Sequence, residues 1–215
     1  MLSDARVGFY FVSTFLCSNF EWYKVLRLKR GDGMQRFSAT SPKLGITMLA
    51  TCNTLSPSQL AVEVESRGFD SLWLPEHSHI PTSRATPFPG AAPGREELPD
   101  VYWHLNDQLV ALSMAAAVTE NLILGTAVTL VAQHDPIWLA KQLATLDFHS
   151  QGRLEVGVGF GWNREEYEAH GHEFSDRYTR TKDNVGIMRA LWSQDEASFV
   201  GHRNHDHVNP RSRCI

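Results

Sequence analysis

The run Ser71-Leu72-Trp73-Leu74-Pro75 delivers an apolar segment to Glu76 and His77, a carboxylate followed at once by an imidazole. An imidazole exchanges protons near neutral pH, and it can also donate or accept a hydrogen bond. If His77 does not meet a ligand, it is an ordinary loop-facing histidine. A second cluster, Gly157-Val158-Gly159-Phe160-Gly161, is rich in glycine. Glycine lets backbone approach a ligand closely. The spacing is not the dinucleotide G-x-G-x-x-G pattern, and no acidic residue follows at the distance that pattern needs. Glu165 and Glu166 read as the charged start of a helix rather than as catalytic acids. His205 and His207 are two apart in the tail. They would share one side of a strand, but no second cluster completes a ligand set, so no metal is expected.

These residues must be carried by regular elements. Leu44–Leu49 reads as a buried strand. Ser56 and Gln59 form a capping box with Pro57 in the first turn, and Leu60, Ala61 and Val64 follow at helical spacing up to Gly68. Phe69–Leu74 is the next strand, which completes a β-α-β unit. A Pro- and Gly-rich connection runs over 75–104, a length that is uncommon without a function. A helix is expected over 106–119 and a strand over 122–131. Asp135 and Pro136 open another helix, with Leu139, Leu143 and Leu146 on its buried face. A fourth strand covers 153–158, and helices are expected over 163–170 and 176–192. Lys141, Gln142 and Trp138 are expected to pack on the outside of the sheet rather than to contact a ligand.

Alternating strands and helices mean a parallel sheet covered by helices. Apolar, non-alternating strands such as Leu122-Ile123-Leu124 suit burial on both faces. Four such units fit either an open doubly wound sheet or half of an eight-unit barrel, and periodicity does not separate the two. No period is legible over 1–43, which reads as an N-terminal extension.

Composition narrows the function classes. The 215 residues are 42% hydrophobic and 20% charged, with net charge −4, as in globular proteins. The basic cluster at Lys24–Arg30 reads as a solvated face, and nucleic acid is not an expected partner. Val7–Cys17 is apolar but far short of the roughly 20 residues that span a bilayer, and it lacks the features of a cleavable signal. The three cysteines, Cys17, Cys52 and Cys214, form no CxxC pair. Neither a disulfide framework nor a zinc ribbon is indicated, and a reducing cytoplasm is the expected location.

The ordered set of motifs resembles the luciferase-like monooxygenase superfamily, in particular its branch that uses the deazaflavin coenzyme F420. The stretches are Gly68–His77, Leu124–Val128, Asp135–Asp147, Gly152–Glu166 and Arg189–Trp192. The resemblance covers residues 44–200. It implies a TIM-type (β/α) barrel of which about the first four βα units are present, since a full barrel takes about 250 residues. It implies an oxidoreductase or monooxygenase acting on a small organic molecule through F420 or, alternatively, FMN. It makes His77 the catalytic candidate. It makes Glu76, His77, Thr126, Ala127, Val128, Gly159, Gly161 and Trp162 cofactor contacts, with a bulge and a cis peptide carried over to Ala127-Val128. Relatives commonly have Asp where Glu76 stands. In the sugar-phosphate dehydrogenases of this branch a proton-donating Glu follows the glycine run. Trp162 holds that position here, which argues against that reaction.

A rival expectation is a shortened chain without catalysis, and a third is a flavin-binding module without turnover. After Val200 the family pattern breaks off, as though the reading frame had shifted, and 201–215 reads as a divergent tail. Four units alone would leave sheet edges and apolar helix faces uncovered, which favours self-association or a partner.

Overall fold

Ser56 and Pro57 open the first helix as the capping signals predict. The Ser56 hydroxyl accepts from the Gln59 N–H at 3.3 Å, and Gln59 Oε1 accepts in return from the Ser56 N–H at 3.2 Å. Such a cap is worth about 1 kcal/mol. The computed structural model describes residues 7–8, 24–27, 43–91, 97–202 and 207–212, with side chains over 43–91 and 97–202. In chain order the elements are β1 (Val7–Gly8), β2 (Lys24–Arg27), β3 (Gly45–Thr47), α1 (Pro57–Ser66), β4 (Ser71–Leu74), α2 (Gln108–Ala116), β5 (Ile123–Thr129), α3 (Pro136–His149), β6 (Leu154–Val158), α4 (Arg164–Ala169), α5 (Arg177–Ser193), β7 (Ala197–Val200) and β8 (His207–Ser212).

Strands β3, β4, β5 and β6 pair in parallel and in sequence order. The predicted β-α-β-α-β-α-β-α alternation is therefore the observed one. Asp107 and Asp135 cap α2 and α3 through their side chains, and Asn163 caps α4. Leu72, Leu124, Leu154 and Val156 on the strands are fully buried against Ala61, Leu112, Leu139, Leu143 and Met188 on the helices. Beyond the predicted units, β2 pairs antiparallel with β6 and β1 with β2, so the sheet runs β1-β2-β6-β5-β4-β3. β7 and β8 form a separate antiparallel pair. No period marked β1, β2 or β8 in the sequence; each belongs to a region read there as extension or tail.

The opposite face of the sheet carries the alternate residues. Trp73 pairs in register with Gly125, and its indole lies across that glycine: a Cβ there would sit 2.1 Å from the ring. The indole N–H donates to Ser71 Oγ at 2.8 Å. At the end of the strands away from Glu76 and His77, Arg153 donates to Ser150 O, Thr119 Oγ1, Leu122 O and Ala116 O. Glu65 accepts from the N–H groups of Glu120, Asn121 and Leu122. This pair closes the turn that feeds β5.

The 75–104 connection contains a 3₁₀ turn at Asp100–His104, and one expectation needs correction. Trp138 does not pack on the sheet; it is 70% exposed. It immediately precedes Leu139, the first buried position of α3, and falls on the helix's outer side. Val110, Ile137 and Phe148 are also largely exposed. Among the described residues no helix is long and apolar enough to cross a membrane.

Candidate active site

The strand ends after β4, β5 and β6 lie side by side, and each contributes to one polar and aromatic cluster. In a parallel α/β sheet this is the edge at which ligands bind. The β5 end is irregular. Its register against β6 shifts between Thr126 and Thr129, and the Ala127-Val128 peptide is cis, the bond and the bulge standing where the resemblance put them. Thr126 is fully buried, and its hydroxyl donates to Gly157 O and accepts from Gly157 N–H, both at 2.9 Å. Gly157 has no room for a side chain, because a Cβ would lie 2.3 Å from Thr126 O. Ala127 and Val128 are half-buried between buried Thr126 and Thr129.

A residue that the sequence reading passed over supports this bulge. Gln108, 2% exposed at the start of α2, donates to Leu74 O at 2.7 Å and to Val128 O at 3.4 Å, and accepts from the Thr129 hydroxyl at 2.8 Å. One buried amide thereby joins the ends of β4 and β5. Its position just after the Asp107 cap was the available signal, since a glutamine at a helix start can reach back toward the strand that precedes it.

Glu76 and His77 diverge. The Glu76 carboxylate accepts from the Leu130 N–H and lies 2.8 Å from His134 Nε2. Burial works to lower the His134 pKa, but the hydrogen bond and charge of Glu76 outweigh it and hold the imidazole above its ordinary value. Glu76 thus ties the β4 end to the β5 end. His77 turns the other way. Its side chain is 8% exposed, and Nδ1 lies 2.7 Å from Oε2 of Glu166, itself 1% exposed. Glu166 Oε1 accepts from the Ser78 N–H at 2.9 Å. The Ser78 hydroxyl contacts His170 Nε2 at 2.8 Å and His79 Nδ1 at 2.9 Å. Burial, with the neighbouring His79, holds His170 below the ordinary histidine range.

Around His77 stand three further rings. Tyr102 and Trp162 meet it edge-on, with centroids 5.6 and 5.7 Å away, and Phe88 touches both at 5.5 and 5.9 Å. The four rings close a cycle, each in contact with two others. The Arg84 guanidinium lies over Trp162, 5.6 Å from the ring centroid. Phe88, Tyr102 and Arg84 all come from the long connection after β4, which therefore folds over His77. Glu165 secures it, accepting from Ala85 N–H at 2.8 Å, Thr86 N–H at 3.0 Å and Thr86 Oγ1 at 2.6 Å. Burial works against the charged form, but these donors bring the Glu165 pKa down to about 2.

The geometry thus brings His77 and Trp162 into contact and sets Glu76 beside the bulged β5 end. Gly159 donates its N–H to Thr129 O at 3.0 Å, and Gly161 adopts φ +74° beside Leu130 and Gln133. Both press the β6–α4 connection onto the bulge. Glu165 and Glu166 stand in the first turn of α4, the charged helix start expected there, and their carboxylates also hold the loop and His77. The overlooked signal was the Glu166–His170 spacing, i and i+4 on one helix face, with both residues reaching Ser78.

Four parallel strands backed by helices, with the polar cluster at their carboxyl ends, define an α/β chain of the TIM-barrel enzyme type. The model of the luciferase-like monooxygenase family matches residues 56–213, and the chain belongs to that family. An uncharacterized protein of Mycobacterium tuberculosis (strain ATCC 25618 / H37Rv) is 43% identical over 158 residues, which are 73% of this chain and 55% of that protein. The F420-dependent glucose-6-phosphate dehydrogenase of Amycolatopsis mediterranei is 29% identical over 66% of this chain and 39% of its own length. The FMNH(2)-dependent dimethylsulfone monooxygenase of Pseudomonas fluorescens is 36% identical over 43% of this chain and 26% of its own. Among solved structures, a monooxygenase from Streptomyces bottropensis superimposes with a TM-score of 0.64 at 24% identity, over 81% of this chain and 49% of that one. The chain spans about half the length, or less, of these relatives. The family match begins later and ends later than the 44–200 expected from the motifs, and it reaches into the segment read as a divergent tail.

Proposed function

We propose that this chain carries the cofactor-facing strand ends of an oxidoreductase that works through a bound deazaflavin (F420) or FMN on a small organic substrate. The observation that carries the reading is the pairing of buried His77 with Glu166 at the carboxyl end of β4, the strand next to bulged β5. The residues fit such a ring. Half-buried Ala127 and Val128 offer a small apolar surface, Glu76 holds that strand end in place, and His77 supplies a nitrogen able to hydrogen-bond a ring edge. Gly159, Gly161 and Trp162 border the same edge from the β6 side. Bound there, the cofactor would supply hydride transfer or, as a true flavin, oxygen activation. The chain's own residues hold it, orient it and exclude water with the connection that Glu165 secures. His77 is the candidate catalytic residue.

Trp162 bears on the substrate class. It stands where sugar-phosphate dehydrogenases of this branch have a proton-donating Glu, and it packs with Phe88 and His77. An aromatic lining favours an apolar organic molecule over a sugar phosphate. The test is titration of the purified protein with F420 and with FMN, followed by fluorescence. Saturable binding of one cofactor supports the reading and chooses between the two. Failure to bind either leaves a family fold without that activity.

A further inference from the structure

The two oxygens of Glu166 are both acceptors, and this constrains the imidazole beside them. Oε1 is occupied by the Ser78 N–H at 2.9 Å, with the Ser78 hydroxyl at 3.4 Å. Oε2 lies 2.7 Å from His77 Nδ1. A carboxylate oxygen at that distance requires a donor, so the ring proton belongs on Nδ1. His79 and His170 do not compete for this nitrogen, because both are engaged by the Ser78 hydroxyl. Tyr102 and Trp162 flank the ring edge-on and limit its rotation. Nε2, across the ring from Nδ1, has no hydrogen-bond partner among the described residues.

We propose that Glu166 is a positioning residue for His77: it fixes the proton on Nδ1 and leaves Nε2 as a hydrogen-bond acceptor toward the ligand. A free imidazole prefers the opposite tautomer, so this state must be imposed by the protein. The group that holds one nitrogen of a histidine sets what the other can do. With Nε2 bare, neutral His77 receives a hydrogen bond or a proton from an O–H or N–H of the bound molecule and offers none. The proposal rests on the reading of His77 as the group that meets the ligand.

The test is long-range ¹H–¹⁵N correlation NMR of ¹⁵N-histidine-labelled protein without cofactor, in mildly alkaline buffer, with the His77 signals identified by their loss in His77→Gln. In the wild type Nδ1 should resonate as a protonated, pyrrole-type nitrogen and Nε2 as a bare, pyridine-type one. Glu166→Gln preserves shape, and its one carbonyl oxygen is claimed by the Ser78 N–H. Its NH₂ then faces Nδ1, which must become the acceptor, so the two signals exchange types. Glu166→Asp, which keeps the carboxylate, should restore the wild-type pattern at least in part. A wild-type ring protonated on Nε2 overturns the proposal without any variant having to fold, and so does an unchanged pattern in a folded Glu166→Gln. Titration of the same wild-type sample with F420 and FMN separates the two ideas. The stated tautomer without binding defeats the cofactor reading alone, and binding with the opposite tautomer defeats the role of Glu166 alone.

Discussion

Glu165 and Glu166 are neighbours in sequence at the start of α4 and hold different parts of the same site: Glu165 binds the backbone of Ala85 and Thr86, and Glu166 binds the ring of His77. One helical turn therefore fixes both the long connection and the imidazole beneath it. The consequence for pH follows from Glu165. Its folded-state pKa, about 2, lies below the ordinary 4.5. Its contribution is therefore present above pH 4.5 and is lost as the pH falls from there toward 2. Amide exchange at Ala85 and Thr86, corrected for intrinsic rates, should accelerate over that window. In Glu165→Ala the two amides should already exchange faster at neutral pH, with no further step on acidification. A wild-type response identical to that of the variant would remove Glu165 as the latch.

His134 and Glu76 work in the opposite direction. The His134 pKa lies above its ordinary 6.5, because the Glu76 carboxylate outweighs the effect of burial. A raised histidine contributes stability that is complete below the unfolded value and is lost as the pH rises through the folded one. Melting temperature should therefore fall as the pH is taken from 6 to 9, and Glu76→Gln should flatten that slope. The same variant should loosen the β5 end, since the carboxylate also accepts from the Leu130 N–H.

His77 can be tested through binding alone. A hydrogen bond to a charged or strongly polar group is worth about 1.5–3 kcal/mol, or roughly ten- to a hundredfold in Kd. His77→Ala should weaken the cofactor that the wild type retains by about that factor in a fluorescence titration, with the melting temperature monitored in parallel. Unaltered affinity in a folded variant would place the imidazole away from the ring.

Much of the fold was legible because its signals are local. Ser56, Asp135 and Asn163 mark helix starts whatever surrounds them, and Leu139, Leu143 and Leu146 declare a buried face by spacing alone. The Ala127-Val128 bulge and His77 were reachable only through family resemblance, since nothing in those residue types forces a bulge or a buried ring. Glu166 and Gln108 were missed for a different reason. A glutamate and a glutamine at helix starts read as solvated, and only the tertiary fold brings His77, 89 positions earlier in the chain, to within hydrogen-bond distance of Glu166. β1, β2 and β8 were missed because their lengths and patterns carry no period, and pairing with another strand is what defines them.

The floor beneath this site can be tested through Trp73 and Gly125. The indole occupies the space a side chain at 125 would need, with ring atoms 2.1 to 2.6 Å from a Cβ built there. The ring cannot move aside freely, because its N–H is bonded to Ser71 and it is itself 6% exposed. Gly125→Ala should therefore destabilise the protein by about 1–3 kcal/mol, the usual cost of overpacking, measured by urea denaturation. Trp73→Leu alone should also destabilise, by leaving a void. The double variant separates close packing from a backbone requirement at 125. If the indole is the obstacle, the new methyl enters space the leucine has vacated, and the double variant loses less than the sum of the two singles. Strict additivity would mean that Gly125 is needed for its backbone, and that the contact with Trp73 is incidental.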